Sequence, residues 1–560
     1  MNGRVNPSGP HPGTRIAQAR RRAAMNQREL AERLEVRPWK IEQIETGSVD
    51  PREWAESLER ILEMPRGWLS HPPESPGIGA ASDRVFSKPL TPAERLDRNI
   101  ILGILAVLAT IRFFTTTVAL LPGAGNFIDI VLLPITLIAV ASRSEVGARR
   151  DRSSSFAFNT PVLVFVVICA VSVVLNVTRV APAPTILFVY DFLSPLVFGW
   201  AALKIWPAGQ TAALSRLIVG LGVLQFFVIC LFDLPTFVSS RNPDDIAGTF
   251  GGNAYQLVFF LLVFAALVAG IATFEPGRLT ARLAPLLFGL IFLVIFLAQY
   301  RALLLSTALT VLFVSLLLGS RRGKGVVIGS VAAVTLVAGL AYVSAHYPAF
   351  KFAPTIAAVR ENPTFFLTAR LEPGRDVLSL YGDNALFAVV GAGPGTYSSR
   401  AWRTFAEVGD PSSAEGAEAP YASALVGGVA YTTDVSKKYT LPRLERSRAV
   451  LGSYAVTSPY SSYLALLAEV GVVGFAAMIF IYGKALLTSI RTALATMRIA
   501  APDDPLPALA LATSVSFFLL VQMAFLENWW EVARVTIPSW MMLAICVKEY
   551  AAREQQTVRR

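Results

Sequence analysis

Hydrophobic and polar positions divide the chain into two unlike parts. About the first 98 residues are polar and hold no long apolar stretch, whereas apolar runs of about twenty residues recur from Ile100 almost to the C terminus. A helix rises about 1.5 Å per residue, so about 20 apolar residues cross a hydrocarbon core of about 30 Å. Twelve spans are predicted, at roughly 99–121, 126–142, 156–178, 185–206, 212–233, 254–274, 284–300, 302–320, 326–345, 461–486, 507–526 and 535–548. The seventh and eighth meet at Arg301, and their combined length suits two spans rather than one. The expected fold is an all-α polytopic membrane protein with one large extracytoplasmic loop and a small all-α domain at the N terminus.

Composition agrees with the pattern. Of 560 residues, 54% are hydrophobic and only 16% are charged, against about 25% charged in soluble domains. That excludes a disordered chain and argues against a wholly soluble one. Cys169, Cys230 and Cys546 all lie in apolar runs, so no disulfide framework is indicated. No signal peptide is expected, because the first apolar run starts too late. The net charge of +11 reads as topology. With a cytoplasmic N terminus, the inside loops and tail hold eighteen Lys and Arg, among them Arg149, Arg150, Arg321, Arg322 and Lys324, against four in the short outside loops (Arg179, Arg241, Arg301 and Arg534). By the positive-inside bias both termini are cytoplasmic and the long segment 346–460 lies outside.

The organisation predicted is therefore a flexible tail (1–12), a helix-turn-helix domain (13–70), a linker (71–98), spans one to nine (99–345), the outer loop (346–460), spans ten to twelve (461–548) and a cytoplasmic tail (549–560). In the N-terminal domain, Asn26 caps a helix with Glu29 three residues on, Leu30 and Leu34 share a face, and a turn leads to PWKIEQIETG with Ile41 and Ile44 inward. The string NQRELAERLEVRPWKIEQIETGSVDP resembles the lambda-repressor-like (XRE) family. That resemblance implies groove contacts from the second helix of the motif, with Arg37, Lys40 and Gln43 as the DNA-facing residues. A protein-interaction module is the alternative, since residues 1–98 carry sixteen basic against fourteen acidic side chains, a weak electrostatic footprint.

Three segments share the predicted outer side: SSRNPDDIAGTFGGNAY (239–255), AQYRALLLS (298–306), and the large loop with ARLEPGRDVLSLYGDNALFAVVGAGPGTY (369–397) closing on SPYSSYLALLAEVGVVG (458–474). Together they resemble, in order and topology, the patterns R-x-x-G-T-F-x-N, S-R-G-A-L-L, N-P-x-x-G-x-G-P-G and H-N-x-Y-L-x-x-L-A-E-x-G-x-x-G of the O-antigen ligase and polymerase family. The resemblance spans roughly residues 100–550. It implies a bacterial cytoplasmic-membrane glycosyltransferase of cell-envelope synthesis, whose donor is a glycan on undecaprenyl diphosphate and whose work is done without a metal or cofactor.

Such a donor leaves as a lipid pyrophosphate, whose charge requires fixed cations or oriented donors. Arginine suits phosphate through its planar fork. Arg301, Arg370, Arg375 and Arg241 are the expected groups, Arg301 first because it interrupts two apolar spans. Arg112, inside the first span, reads as a snorkelling or interhelical charge. The turn Gly391, Gly393, Pro394, Gly395 is expected to cradle an anion or to fix the loop, and Glu469 to contact the glycan. The spacing of Asp244, Asp245, Glu372, Asp376, Asp383 and Glu469 marks no metal site. Where the family pattern has His-Asn, this chain has Tyr460-Ser461, and its three histidines (His11, His71, His346) lie elsewhere. A phenol, with a reference pKa near ~10, is a poor base at neutral pH. Proton removal then falls to a carboxylate such as Asp383, Glu372 or Asp376, or pyrophosphate departure dominates, or this branch is inactive. The rival classes are a membrane-anchored sensor with a helix-turn-helix output and a lipid or polysaccharide transporter; no internal repeat favours the latter.

Overall fold

A computed structural model describes residues 16–62, except 18, 21, 22, 24 and 47, and residues 90–558, except 119–127, 145–158, 241, 299–300, 320–364, 407–430, 445–460 and 500–502. The chain forms two compact units, Met1–Pro89 and Leu90–Arg560.

In the first unit α1 (Gln27–Arg33) starts at Asn26, whose side chain accepts the N–H groups of Arg28 and Glu29 while Glu29 returns to the Asn26 N–H. This reciprocal cap satisfies donors that a helix start leaves open. Helix α2 (Pro38–Thr46) follows a turn that places Glu35 at φ 54°, and α3 (Ala55–Ile61) comes next. Leu30, Ile41, Ile44 and Leu58 pack into a core of their own. Arg20 locks the far side with an ion pair to Glu45 at 2.6 Å.

The second unit is an all-α multi-pass membrane protein; among its described residues there is no strand. Among the described residues, six helices are long and apolar enough to span: Pro92–Thr115, Pro182–Ile205, Thr211–Ser240, Ala254–Phe274, Ser462–Ile499 and Leu506–Leu526. Four shorter apolar helices, Ile128–Ser142, Thr160–Leu175, Ala284–Ala298 and Ser306–Gly319, fall on four further predicted runs. The predicted run 326–345 lies outside the described residues. Large apolar side chains point outward, such as Val174 at 72% exposure and Ile138 at 69%, which suits a lipid surround.

We label the elements of this unit α4 (Pro92–Arg112), α5 (Ile128–Ser144), α6 (Asn159–Leu175), α7 (Pro182–Ile205), α8 (Thr211–Val228), α9 (Leu234–Ser240), α10 (Ala254–Phe274), α11 (Leu279–Arg282), α12 (Ala284–Ala298), α13 (Arg301–Gly319), α14 (Phe365–Asp383), α15 (Leu386–Val390), α16 (Arg400–Phe405), α17 (Ser462–Ile499), α18 (Leu506–Leu526) and α19 (Ala533–Val558). Helix α4 begins inside the expected linker. Thr91 caps it, Pro92 occupies the first turn and Glu94 closes the capping box.

Lipid offers apolar side chains no advantage in leaving it, so helix contacts here depend on close packing. Gly270 on α10 is such a contact, since a Cβ there would stand 2.5 Å from the Ala508 Cα on α18. Aromatic rings also stack between elements, with Trp530 of the turn between α18 and α19 flat on Tyr482 of α17 at 4.1 Å between centroids.

Candidate functional site

The loop after α15 is built around one carboxylate. Glu469 on α17 is fully buried and accepts the backbone N–H groups of Gly395 at 2.5 Å and of Tyr397, Ser398 and Ser399 at 3.0 Å each. The surrounding backbones interlock. The Ala392 N–H donates to the Ala468 carbonyl at 2.8 Å, the Gly393 N–H to the Glu469 carbonyl at 3.1 Å, and Asn176 Nδ2 to the Gly391 carbonyl at 3.2 Å. Helix α17 breaks at Gly471 (φ 67°), where a Cβ would meet the Val389 carbonyl oxygen at 2.4 Å; one on Gly391 (φ 75°) would meet the Glu469 carbonyl carbon at 2.2 Å. Only glycine allows both the left-handed backbone and this approach. A buried carboxylate is costly unless its oxygens are met, and four N–H donors meet this one. The glycine-rich turn thus holds an anion, but the anion is the chain's own Glu469.

The loop delivers Arg400. Its N–H donates to Glu531 Oε2 at 2.5 Å, and Asn528 Nδ2 donates to the Ser398 carbonyl at 2.7 Å, joining the loop to the turn between α18 and α19. Ser399 caps α16 by accepting the Trp402 N–H at 3.2 Å. Around Arg400 lies a cluster of charge drawn from separate helices. Arg112 ends α4, Asp129 opens α5, Asp191 sits on α7, and Arg534 opens α19 beside Glu531; each of these five is under 9% exposed. Arg400 is within electrostatic reach of Asp129, Asp191 and Glu531, and Arg534 of Arg112, Arg400 and Asp129. Asp191 Oδ2 and Glu531 Oε1 have no hydrogen-bond partner among the described residues. Charge at these depths is expensive and marks function by default.

Arg534 also lines a small apolar recess, together with Leu105 and Ala109 of α4, Leu217, Ile218 and Leu221 of α8, Phe250, Phe259, Phe260 and Val263 near and on α10, and Pro538 and Met542 of α19, with Gln256 and Ser539 as further polar residues. Such an apolar recess suits a hydrocarbon chain.

The residues expected from sequence are distributed differently. Arg241 and Tyr460 lie outside the described residues. Arg301 is the first residue of α13 and Arg370 belongs to α14; for both, only the backbone is described. Arg375 is exposed on α14. Asp383 ends that helix and is exposed, held by Lys438 Nζ at 2.6 Å and the Tyr439 hydroxyl at 2.5 Å, two donors that keep its carboxyl below the usual range. Glu372 and Asp376 both pair with Arg443, Asp376 at 2.6 Å. These three carboxylates bind the strap 433–444 to α14. Ser461 donates to the Ala524 carbonyl at 3.0 Å and is buried. In the first unit Arg37 and Gln43 are exposed, whereas the Lys40 ammonium lies 4.4 Å from the Trp54 ring centroid.

Sequence reasoning missed Arg400, Asp129, Asp191 and Glu531, and took Arg112 as a bystander. Four of the six cluster residues lie on or next to helix ends, where a charge reads as an ordinary boundary; only Asp191, nine residues into an apolar helix, carried an isolated signal. The chain matches no known protein family and no curated protein.

Proposed function

We propose that this chain transfers a glycan from a polyprenyl-diphosphate donor to a sugar hydroxyl on the outer face of the bacterial cytoplasmic membrane, as in the O-antigen ligase and polymerase family. The observation that carries the proposal is the convergence of Arg112, Arg400 and Arg534 at one end of the helix bundle, beside a recess lined by apolar side chains. The recess takes the first part of the isoprenoid chain, and the guanidiniums take the diphosphate. The acceptor O–H bond breaks and its proton passes to a buried carboxylate of the cluster, with Asp191 foremost because one of its oxygens lacks a partner. The acceptor oxygen bonds to the anomeric carbon as the bond to the diphosphate breaks, and the electron pair leaves with the diphosphate. A single displacement inverts that carbon. Fixed guanidiniums stabilise charge that grows only as the bond breaks, which is where binding energy accelerates a reaction.

This reading includes twelve spans, with residues 326–345 as the ninth and both termini in the cytoplasm by the positive-inside bias. The donor and acceptor then meet the cluster from outside. A transporter requires charge along a path between both ends. Here the arginines of the cluster gather at one end, and the carboxylates of the other end are taken up by local partners. The first unit, with its capped helices and its own core, is a lambda-repressor-like helix-turn-helix whose partner is DNA or a cytoplasmic protein, and it is accessory to transfer. The test uses the full chain in lipid discs with a polyprenyl-diphosphate oligosaccharide and follows polyprenyl diphosphate release. Wild type releases it, and Arg400→Gln and Arg534→Gln fall far behind. Undiminished release in both variants removes the proposal. Retained release after deletion of residues 1–89 confirms the head as accessory.

A further inference from the structure

We infer that Glu469 is a positioning residue for glycan transfer: by gathering the N–H groups of Gly395, Tyr397, Ser398 and Ser399, it aims Arg400 at the departing diphosphate. The inference rests on the glycan-transfer reading above and goes beyond it in assigning a role to a group that touches no substrate.

Geometry carries the argument. Four of the five residues immediately before Arg400 donate their N–H groups to this single carboxylate. The next N–H, that of Arg400, turns to Glu531 Oε2 at 2.5 Å. The backbone from 395 to 400 is thus handed from one buried carboxylate to another, and the second belongs to the turn that launches Arg534. Asn528 fastens the same two segments at the Ser398 carbonyl. Nothing in this arrangement serves the loop's contact with solvent, because residues 391–399 are all buried. Its effect is to set the point from which the Arg400 side chain enters the cluster. The interlock with α17 needs no carboxylate, since it runs through the Ala468 and Glu469 carbonyls and through Gly391 and Gly471. A role limited to holding the loop down is therefore already filled by backbone contacts. An arginine aimed within a fraction of an ångström is what separates a fixed transition-state donor from a merely nearby charge.

The experiment is a double-variant cycle on the full chain in lipid discs, with a polyprenyl-diphosphate oligosaccharide as donor. Glu469→Gln keeps the size but replaces one accepting oxygen by a donating amide, which faces N–H groups it cannot accept. We expect kcat to fall at least tenfold while KM for the donor stays within about threefold, the pattern of an interaction made in the transition state. Combined with Arg400→Gln, it lowers kcat no further than Arg400→Gln alone, because both changes remove the same aimed guanidinium. Glu469→Asp, which keeps the charge, restores part of the rate. Multiplying losses in the double variant overturn the inference and leave Glu469 a part of the scaffold. Full activity of Glu469→Gln beside an inactive Arg400→Gln overturns it as well, with the transfer site intact. Full activity of Arg400→Gln overturns the inference, and full activity of Arg534→Gln beside it removes the site itself. If Glu469→Gln does not fold, Glu469→Asp and Asn528→Ala take its place in the cycle, and failure of all three to fold overturns the inference in favour of a folding role.

Discussion

The two ends of the helix bundle both bury carboxylates, yet they use them differently. At the end formed by the last turn of α10 and the first of α18, each acid has local work. Glu549 of α19 accepts Trp206 Nε1 at 3.0 Å and the N–H groups of Gly209 and Gln210 at 2.9 and 3.1 Å, tying the α7–α8 connection to α19. Asp504 pairs with Arg553, and Glu275 with Arg278 at 2.6 Å. At the other end Glu469 performs the same kind of latching on a loop, but beyond it stand three arginines, Arg534 within electrostatic reach of both Arg112 and Arg400, beside Asp129, Asp191 and Glu531. Bringing guanidiniums together in a poorly hydrated site is unfavourable and does nothing for loop closure. The contrast separates acids that hold the fold from a constellation that the fold is built to hold.

The sharpest way to break that contrast is to neutralise one charge at each end. Arg400→Gln or Arg534→Gln lowers polyprenyl diphosphate release by about 10²–10³-fold, the loss typical of one fixed transition-state donor. Glu549→Ala leaves release per folded molecule near the wild-type level. Instead it strands three donors at about 1 kcal/mol or more each, so thermal denaturation in detergent reports about 3 kcal/mol lost. Equal loss of turnover from both ends erases the distinction.

A smaller effect tests the latching end by pH. Burial, with Asp503 and Asp504 nearby, pushes the Glu275 carboxyl up to about 7, although Arg278 opposes the rise. Its folded-state pKa lies above the unfolded value of about 4.5, so the folded form holds the extra proton between these values. The resulting stability is fully present below about pH 4.5 and is lost as pH rises through about 7. Melting curves between pH 5 and 8 therefore fall in wild type by on the order of 1–2 kcal/mol, and Glu275→Gln removes that slope. A slope that persists in the variant assigns it to another group.

Sequence alone reached the membrane class, because apolar length is a property of each run by itself. It also located Asn26, Gly391 and Gly395 correctly as structural punctuation. It left open whether the glycine turn cradles an anion or fixes the loop, since nothing local says that Glu469, some seventy residues on, accepts its N–H groups. The early start of α4 was legible in Thr91, Pro92 and Glu94, but the polar residues of its first turn masked it. The arginine cluster was not legible for a different reason. Arg112, Arg400 and Arg534 share no motif, and Arg534 comes within reach of the other two only once the helices pack. Conversely, Arg375 stood out in a motif-like string but remains exposed on α14.

The weakest expected effect therefore falls on residues that sequence ranked high. Asp383 is exposed and held by Lys438 and Tyr439, and their hydrogen bonds keep its carboxyl below the usual range. A lowered folded-state pKa contributes stability above the unfolded value near 3.9 and loses it as pH falls through the folded value, outside any physiological window. Solvent screens such a pair, and its two side chains must be ordered to form it. Asp383→Asn and Arg375→Ala accordingly leave polyprenyl diphosphate release at pH 7 within about twofold of wild type. The measurement cuts in a useful direction. A loss of tenfold or more in Asp383→Asn, with the melting curve unmoved, transfers proton removal from the buried carboxylates to the strap between α14 and residues 433–444, and moves the acceptor to the exposed side of that strap.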